Sequence, residues 1–136
     1  MDPTQFFKCL ADQTRLKIMM LIEREQELCV CELMAALQES QSKISRHLAL
    51  LRNCDLLLVR KHSQWAYYRL NPNLALWVRE VINLSSTHND AFLEDNINTL
   101  KAMTARPDGA KNCCLTYSHE HNHDPSKSTI SKANSA

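Results

Sequence analysis

Residues 40–51 read SQSKISRHLALL, a stretch that shows two faces at helical spacing. Ile44, Leu48 and Leu51 recur at i, i+4 and i+7 and form an apolar stripe. A second stripe with the same spacing is polar or small and consists of Ser42, Ser45, Arg46 and Ala49. Since Ser40 is a favoured capping residue, the pattern predicts a helix from residue 41 that packs one stripe on a core and turns the other outward.

Three helices are predicted upstream of this stretch. Asp2 can cap the first helix, with Pro3 at its opening position. Asp12 can cap the second helix, in which residues 16–22 are apolar nearly all round. A helix with that pattern is buried, so we expect it to organise the core. Residues 30–37 then predict a short third helix, separated from the stretch above by a brief turn.

Downstream of residue 55 the pattern becomes that of strands. Residues 56–62 and 65–70 contain Val, Trp and two Tyr residues and predict a hairpin. The polar pair Ser63-Gln64 separates them without a glycine, so we expect a loop looser than the tightest two-residue turns. Two short helices followed by a hairpin predict a winged helix-turn-helix, mainly α, in the order α-α-α-α-β-β-α.

The C-terminal part divides into a helical stretch and a polar tail. The helical pattern runs from Pro72 to about Lys101, with a possible break at residues 85–89. Later residues are mostly polar and have too little apolar surface to offset the entropy of ordering them. We therefore expect one winged helix-turn-helix domain at residues 1–104 and a flexible tail at residues 105–136.

Composition excludes several classes of protein. The chain of 136 residues has a single glycine, Gly109, so the glycine-rich phosphate cradles of nucleotide-dependent enzymes are excluded. No recognisable catalytic motif is present, and we expect no enzymatic activity. No apolar run approaches the roughly 20 residues of a membrane span, and no signal peptide is visible. We therefore expect a cytoplasmic location, where thiols serve as ligands or redox groups more often than as disulfides, and we expect the same of the six cysteines.

Positive charge is concentrated in one block. The whole chain has a net charge of +1, but residues 41–70 hold six Lys or Arg against one Asp. A basic block on a nearly neutral chain is typical of a nucleic-acid footprint, although a solvated charged face gives the same count. Helix order, basic block and hairpin agree, and together they predict binding to double-stranded DNA.

The predicted DNA contacts fall into three groups. Base edges in the major groove are expected to be read from the N-terminal half of the helix by Gln41, Ser42, Ser45 and Arg46. Phosphates are expected to be bound by Lys43, His47 and Arg52. The hairpin, or wing, is expected to reach the backbone or minor groove through Arg60, Lys61, His62 and Gln64. The alternative is a helix that only packs a core while its charges face water.

Four stretches of the chain resemble a known family. They are residues 10–16 (LADQTRL), 27–33 (ELCVCEL), 41–48 (QSKISRHL) and 65–70 (WAYYRL). The chain resembles the ArsR/SmtB-type repressors, and most closely their arsenic-responsive members. The resemblance implies a homodimer joined through the first and last helices, which represses a metalloid-resistance operon until an inducer binds. Such a two-fold dimer should bind an inverted repeat with half-sites about one helical turn, or a multiple of it, apart.

Cys29 and Cys31 lie where the third helix is predicted to begin. The helix dipole would lower the pKa of both thiols and favour the thiolates that bind soft metals. Residues two apart point to opposite sides of a regular helix, so we expect a frayed or bent helix start if both bind one ion. Such binding would distort the segment ahead of the outward-facing helix and release DNA.

The resemblance implies arsenite or antimonite, As(III) or Sb(III), as the inducer bound by three sulfurs. The third cysteine of the family lies three residues after the second, where this chain has Met34. Either two thiolates suffice, or Cys113 and Cys114 in the tail complete the site. Cys9 and Cys54 fit better as packed thiols.

Other interpretations of the sulfur and imidazole groups remain open. Cys29 and Cys31 can be a redox pair, or simply two small buried residues. The tail histidines at positions 119, 121 and 123 lie near the vicinal cysteines, a donor set suited to zinc, nickel or copper. A metal-carrying module with no role on DNA is the alternative from a different class, and it predicts no salt-dependent duplex binding.

Overall fold

The computed structural model describes residues 1–103. Its helices are α1 (Pro3–Leu10), α2 (Gln13–Glu25), α3 (Val30–Leu37), α4 (Gln41–Asn53), α5 (Leu76–Thr87) and α6 (Asp90–Ala102). Its strands are β1 (Leu28–Cys29), β2 (Leu57–His62) and β3 (Trp65–Leu70). The predicted tail, its boundary after residue 104, Cys113, Cys114 and the three tail histidines lie outside the described residues.

Helix α2 lies in the centre of the core, as its sequence predicts. Its five consecutive residues from Ile18 to Ile22 are each at most 1% exposed. Asp12 caps the helix, because its Oδ2 accepts a hydrogen bond from the backbone N–H of Arg15 at 3.0 Å. Asp2 caps α1 in the same way, through the backbone N–H of Gln5.

Helices α3 and α4 form the helix-turn-helix through a turn of three residues, 38–40. Gln38 adopts a left-handed conformation with φ of 53°, which ends α3. Ser40 begins α4, since its Oγ accepts a hydrogen bond from the backbone N–H of Lys43 at 3.2 Å. The apolar stripe of Ile44, Leu48 and Leu51 is fully buried, which confirms the predicted orientation of the helix.

The strands form an antiparallel sheet in the order β1-β3-β2. In the hairpin, Leu57 pairs with Leu70 at the open end and His62 pairs with Trp65 at the tip. Only two residues connect the strands, so the expectation of a looser loop is wrong. Ser63 takes a φ of 59°, the positive value that a two-residue turn requires and that glycine usually supplies. Strand β1 was not predicted.

The C-terminal helical stretch is two helices that meet at His88 and Asn89, inside the predicted window. Arg24 fastens this corner to α2: one guanidinium nitrogen donates to the Ser86 carbonyl at 3.1 Å and to Asp90 Oδ1 at 2.8 Å. The architecture is therefore mainly helical with a wing, and the predicted order is extended by β1 and by the division of the last helix. No helix within residues 1–103 has the length and apolar character needed to cross a membrane.

Candidate nucleic-acid interface and thiol site

Helix α4 presents its polar stripe outward. We call Gln41, Ser42, Ser45 and Arg46 the outer face of α4. Ser42 and Arg46 are exposed, and Gln41 and Ser45 are half-buried at its margin. Because the opposite stripe is buried in the core, the helix is fixed with the outer face toward solvent. A helix held in this way can enter a major groove without rearrangement of the fold.

Two basic side chains of the 41–70 block already have acidic partners from outside it. Lys43 Nζ lies 3.0 Å from Glu39 Oε1, one turn back along the chain. Arg60 donates to both carboxylate oxygens of Glu27, at 3.1 Å from Nε and 2.7 Å from its terminal nitrogen. The Arg60 guanidinium holds the pKa of Glu27 below its ordinary value. The count of six Lys or Arg residues in this block therefore overstates the positive charge that is available to bind phosphate.

The wing projects past the end of β1, which pairs with Tyr67 and Tyr68 and so marks the base of the projecting part. Lys61, His62 and Gln64 are all exposed around the two-residue turn. Arg60 is different, because it is bound to Glu27 and its guanidinium carbon also lies 4.9 Å from the centre of the Tyr67 ring. The tip can reach a DNA backbone, whereas Arg60 stabilises the base of the wing.

Arg52 and His47 on α4 have different environments. Arg52 is exposed and its side chain hydrogen-bonds to Tyr68, so it lies where α4 meets the sheet. His47 is buried, with 5% of its surface exposed. The prediction that His47 binds phosphate is therefore wrong, since its imidazole faces the protein interior. The sequence held a signal for this: His47 lies three residues after Ile44 and four before Leu51, within the apolar stripe.

The two thiols at the start of α3 lie together. Cys29 Sγ and Cys31 Sγ are 3.0 Å apart, and both residues are buried. Cys29 is the N-cap of α3 with extended backbone, φ −93° and ψ 169°, so it stands outside the regular helix. The two sulfurs meet because the chain departs from the regular helix at Cys29, and a frayed or bent helix start on binding of one ion stays a prediction.

Polar groups hold this arrangement in place. Glu32 is buried, and its Oε1 accepts a hydrogen bond from the Cys29 backbone N–H at 3.0 Å. The Cys29 sulfur in turn accepts from the backbone N–H of Glu32, which makes a capping box with sulfur in the place of a hydroxyl. The backbone N–H of Glu32 therefore points at the Cys29 sulfur from the N-terminus of α3.

Aromatic side chains of β3 cover the sulfurs. Cys29, Cys31 and Tyr67 form a small buried cluster apart from the main core, and Trp65 packs against it. Strand β1 explains the contact, because Cys29 pairs with Tyr67 and Leu28 pairs with Tyr68. The result is a small dry site with two soft donors, suited to a thiophilic ion.

The other described sulfurs are less suitable ligands. Met34 packs against the main core cluster, so its thioether is partly used in packing. Burial raises the pKa of Cys9 to about 12, and a hydrogen bond with the Cys54 thiol adds to that rise. A thiol with so high a pKa is a poor source of thiolate. Within residues 1–103, no group of three or more His, Cys, Asp or Glu side chains could hold a metal ion.

Comparison with known proteins assigns the chain to a family. The profile of the family described as "Bacterial regulatory protein, arsR family" matches residues 12–58. The chain is similar to the arsenic resistance transcriptional regulator ArsR2 of Pseudomonas putida, with 50% identity over 112 residues that cover 82% of this chain and 97% of the relative. This chain belongs to the arsR family. It is a DNA-binding transcriptional regulator with a helix-turn-helix.

A second relative and two solved structures agree with this assignment. The arsenical resistance operon repressor of Escherichia coli is 54% identical over 81 residues, which cover 60% of this arsR-family chain and 69% of the relative. HlyU from Vibrio cholerae has a TM-score of 0.57 at 34% identity and covers 63% of this chain and 89% of its own. PagR of Bacillus anthracis, a transcriptional repressor, has a TM-score of 0.53 at 27% identity, with coverage of 60% and 90%.

Several residues of this arsR-family regulator that shape the two sites were missed in the sequence. Glu27 and Tyr67 meet Arg60 across the base of the wing, and Asp12 and Arg15 meet His47 beneath α4. These contacts join residues 7 to 35 positions apart, and no local period marks them.

Proposed function

We propose that this protein is a homodimeric repressor of a metalloid-resistance operon, and that arsenite or antimonite releases it from its operator by binding to Cys29 and Cys31. The observation that carries the proposal is the 3.0 Å separation of two buried sulfurs at the start of α3, the first helix of the helix-turn-helix. The similar regulators of Pseudomonas putida and Escherichia coli, which are named for arsenic and arsenical resistance, support the choice of inducer.

The chemistry of the thiol pair fits trivalent arsenic. Arsenous acid, As(OH)3, can exchange two hydroxyl groups for the two sulfurs, so that two As–S bonds form and two molecules of water leave. The exchange consumes both thiol protons and needs no oxidant. Trp65 and Tyr67 limit access of water to the product, and the N–H groups at the start of α3 favour sulfur that carries negative charge.

Two routes connect the sulfurs to the DNA-binding elements. Cys31 lies in the first turn of α3, and α3 leads through residues 38–40 into α4. Cys29 lies in β1 against Tyr67, whose ring contacts Arg60 at the base of the wing. When arsenic binds both sulfurs, its bond lengths and angles strain the junction between β1 and α3. Helix α4 and the wing then shift relative to the core.

The DNA contacts come from α4 and the wing. The outer face of α4 reads base edges in the major groove, with Arg46 as the side chain best placed to extend into it. Lys43, Arg52, Lys61, His62 and Gln64 contact phosphate or the adjacent minor groove. Arg60 supports the wing rather than DNA, because Glu27 already neutralises it.

The dimer joins α1 and α5 of two copies. Large apolar side chains are exposed on these helices, with Phe7 54%, Leu76 71%, and Leu84 56% accessible. Trp77 continues this surface, because its ring and that of Phe7 both stack edge-to-face on Phe6, at 5.1 and 4.9 Å. An apolar surface of this kind favours association, and two-fold pairing presents two α4 helices to an inverted repeat.

Thiol oxidation is the second candidate for the inducing signal. Hydrogen peroxide would oxidise the two thiols to a Cys29–Cys31 disulfide across the same 3.0 Å separation. The peroxide would be reduced to two molecules of water. The two signals differ in reversibility, since a thiol reductant alone restores the oxidised protein.

The deciding experiment measures binding of the full-length protein to its promoter duplex by fluorescence anisotropy. Arsenite, antimonite, zinc, nickel and hydrogen peroxide are titrated separately into the preformed complex. We expect release by arsenite and antimonite at concentrations near that of the protein, and steep weakening of binding as salt rises. Indifference to both metalloids would remove the proposed inducer, and an absence of duplex binding at low salt would remove the operator role.

A further inference from the structure

His47 is a buried imidazole on the DNA-binding helix, and it faces charged groups of another element. Its Nδ1 lies 3.4 Å from a terminal nitrogen of Arg15, and its Nε2 lies 3.9 Å from Asp12 Oδ2. Arg15 also donates from Nε to the Cys9 carbonyl at 2.6 Å. One guanidinium therefore links the end of α1, the start of α2 and the inner side of α4.

The contact with Arg15 fixes the tautomer of His47. A guanidinium has only hydrogen-bond donors, so Nδ1 must be the acceptor and carry no proton. The single ring proton of the neutral imidazole is then on Nε2, which faces the Asp12 carboxylate. A second proton would occupy Nδ1. The N–H groups of His47 and Arg15 would then face each other, and the hydrogen bond between them would be lost.

The charges around His47 come from two helices. Arg15 on α2 and Lys43 and Arg46 on α4 are positive, and the Asp12 carboxylate at the start of α2 is negative. Burial and the three cations outweigh Asp12, so the pKa of His47 lies below its ordinary value of 6.5, with burial as the main cause. The neutral form is thus the native form at physiological pH.

We propose that neutral His47 is a positioning residue that holds α4 in its DNA-binding orientation by accepting the hydrogen bond from Arg15, and that protonation of the ring releases this hold. The inference rests on the DNA-binding role of α4. The apolar stripe of α4 fixes which face is buried, but packing alone permits small shifts along and around the helix axis. The hydrogen bond between Arg15 and His47 is directional, and His47 is the residue next to Arg46. The bond therefore limits those shifts.

The sign of the pH effect follows from the direction of the pKa. Neutral His47 contributes fully to the free energy of unfolding above pH 6.5. That contribution is lost as the pH falls from 6.5 through the lower native pKa. Operator affinity depends on protonation of the folded protein, so it should weaken as the pH falls through the native pKa, by at most about a hundredfold per pH unit for a dimer with one His47 in each subunit.

The test compares operator affinity from pH 5.5 to 8 for the full-length protein and three variants, with circular dichroism at each pH. His47→Asn keeps an acceptor near Arg15 but does not titrate, so we expect wild-type affinity at pH 7.5 and a flatter profile below pH 6.5. Arg15→Met removes the donor and should weaken binding several-fold at pH 7.5. His88, which is exposed at the corner between α5 and α6 and lies outside α4 and the wing, serves as the matched control, and His88→Gln should retain the wild-type decrease that is attributed to His47.

Nitrogen-15 NMR of the histidine rings gives a readout that does not depend on DNA. We expect His47 to show the neutral Nε2–H tautomer at pH 7.5 and to titrate below 6.5, and the Arg15→Met variant to lose the tautomer preference. The Nδ1–H tautomer, or identical pH profiles for wild type and His47→Asn, would overturn the proposal. A wild-type protein that binds no duplex at any pH would instead overturn the operator role.

Discussion

Cys29 and Tyr67 are paired across β1 and β3, and the Tyr67 ring lies beneath the Arg60 guanidinium at the base of the wing. The thiol pair and the wing therefore share one aromatic residue. A ligand that moves the Cys29 sulfur acts on Tyr67 directly, because the two residues belong to one small buried cluster. Tyr67 therefore contacts both the proposed inducer site and the wing that is proposed to bind DNA.

Replacement of either thiol should separate DNA binding from induction. Cys29→Ser and Cys31→Ser keep the size of the side chain, so we expect near wild-type operator affinity and a loss of release by arsenite. Cys54→Ser is the matched control, since Cys54 hydrogen-bonds with Cys9 and lies outside the thiol pair. The measurement is anisotropy of labelled operator during an arsenite titration. If arsenite still released either the Cys29→Ser or the Cys31→Ser variant normally, the arsenic site would lie elsewhere.

Arg46 should make the largest single contribution from the outer face of α4. Arg46→Ala is expected to lose about 1–3 kcal/mol on the operator if the guanidinium binds a base edge. The same loss on a scrambled duplex would show that Arg46 contacts phosphate instead. Arg79→Ala, on the exposed surface of α5, controls for the loss of one positive charge. Unchanged affinity for Arg46→Ala would contradict both roles.

Neighbouring basic residues of the wing should behave differently. Lys61 is exposed near the tip, so Lys61→Ala should weaken binding to all sequences and reduce the salt dependence by about one ion. Arg60→Ala should have a smaller effect on that slope, because Glu27 already pairs with this guanidinium. Affinity measured at several salt concentrations distinguishes the two, and equal slopes for both variants would refute the assignment of Arg60 to the base of the wing.

Ser40 should stabilise α4 through its cap alone. Ser40→Ala removes the acceptor for the Lys43 N–H and should lower the free energy of unfolding by about 1 kcal/mol. Ser40→Asn restores an acceptor and should retain both stability and operator affinity. Ser40→Asp also caps the helix but brings a negative charge close to DNA, so stability should persist while affinity falls. Urea unfolding and anisotropy measure the two quantities, and a fall in stability for Ser40→Asn would contradict a capping role.

The apolar surface on α1 and α5 should control the oligomeric state. Leu84→Glu places a charge on this surface and should shift the protein to monomer at micromolar concentration, as measured by sedimentation. Leu58→Glu is the matched control, because Leu58 is an exposed leucine on β2, outside α1 and α5. A stable dimer of the Leu84→Glu variant would show that the two copies meet through another surface.

Local rules predicted much of this fold from the sequence. Helix caps at Asp2, Asp12 and Ser40 were predictable because each side chain bonds to a backbone N–H three residues away. The buried stripe of α4 and the central position of α2 followed from apolar residues at helical spacing. The outward direction of Ser42 and Arg46 followed as well, because burial of one stripe determines the direction of the other.

Contacts between distant residues depended on the tertiary structure. Strand β1 has only two residues and exists because β3, nearly forty positions later, supplies its hydrogen-bonding partner. The inward orientation of His47 and the pairing of Arg60 with Glu27 likewise need elements that are far apart in the chain. Residue types and their periods thus determined which helices form and which faces are buried. Only the packed chain determined which charges are neutralised and which sulfurs meet, because distances between remote segments leave no periodic trace in the sequence.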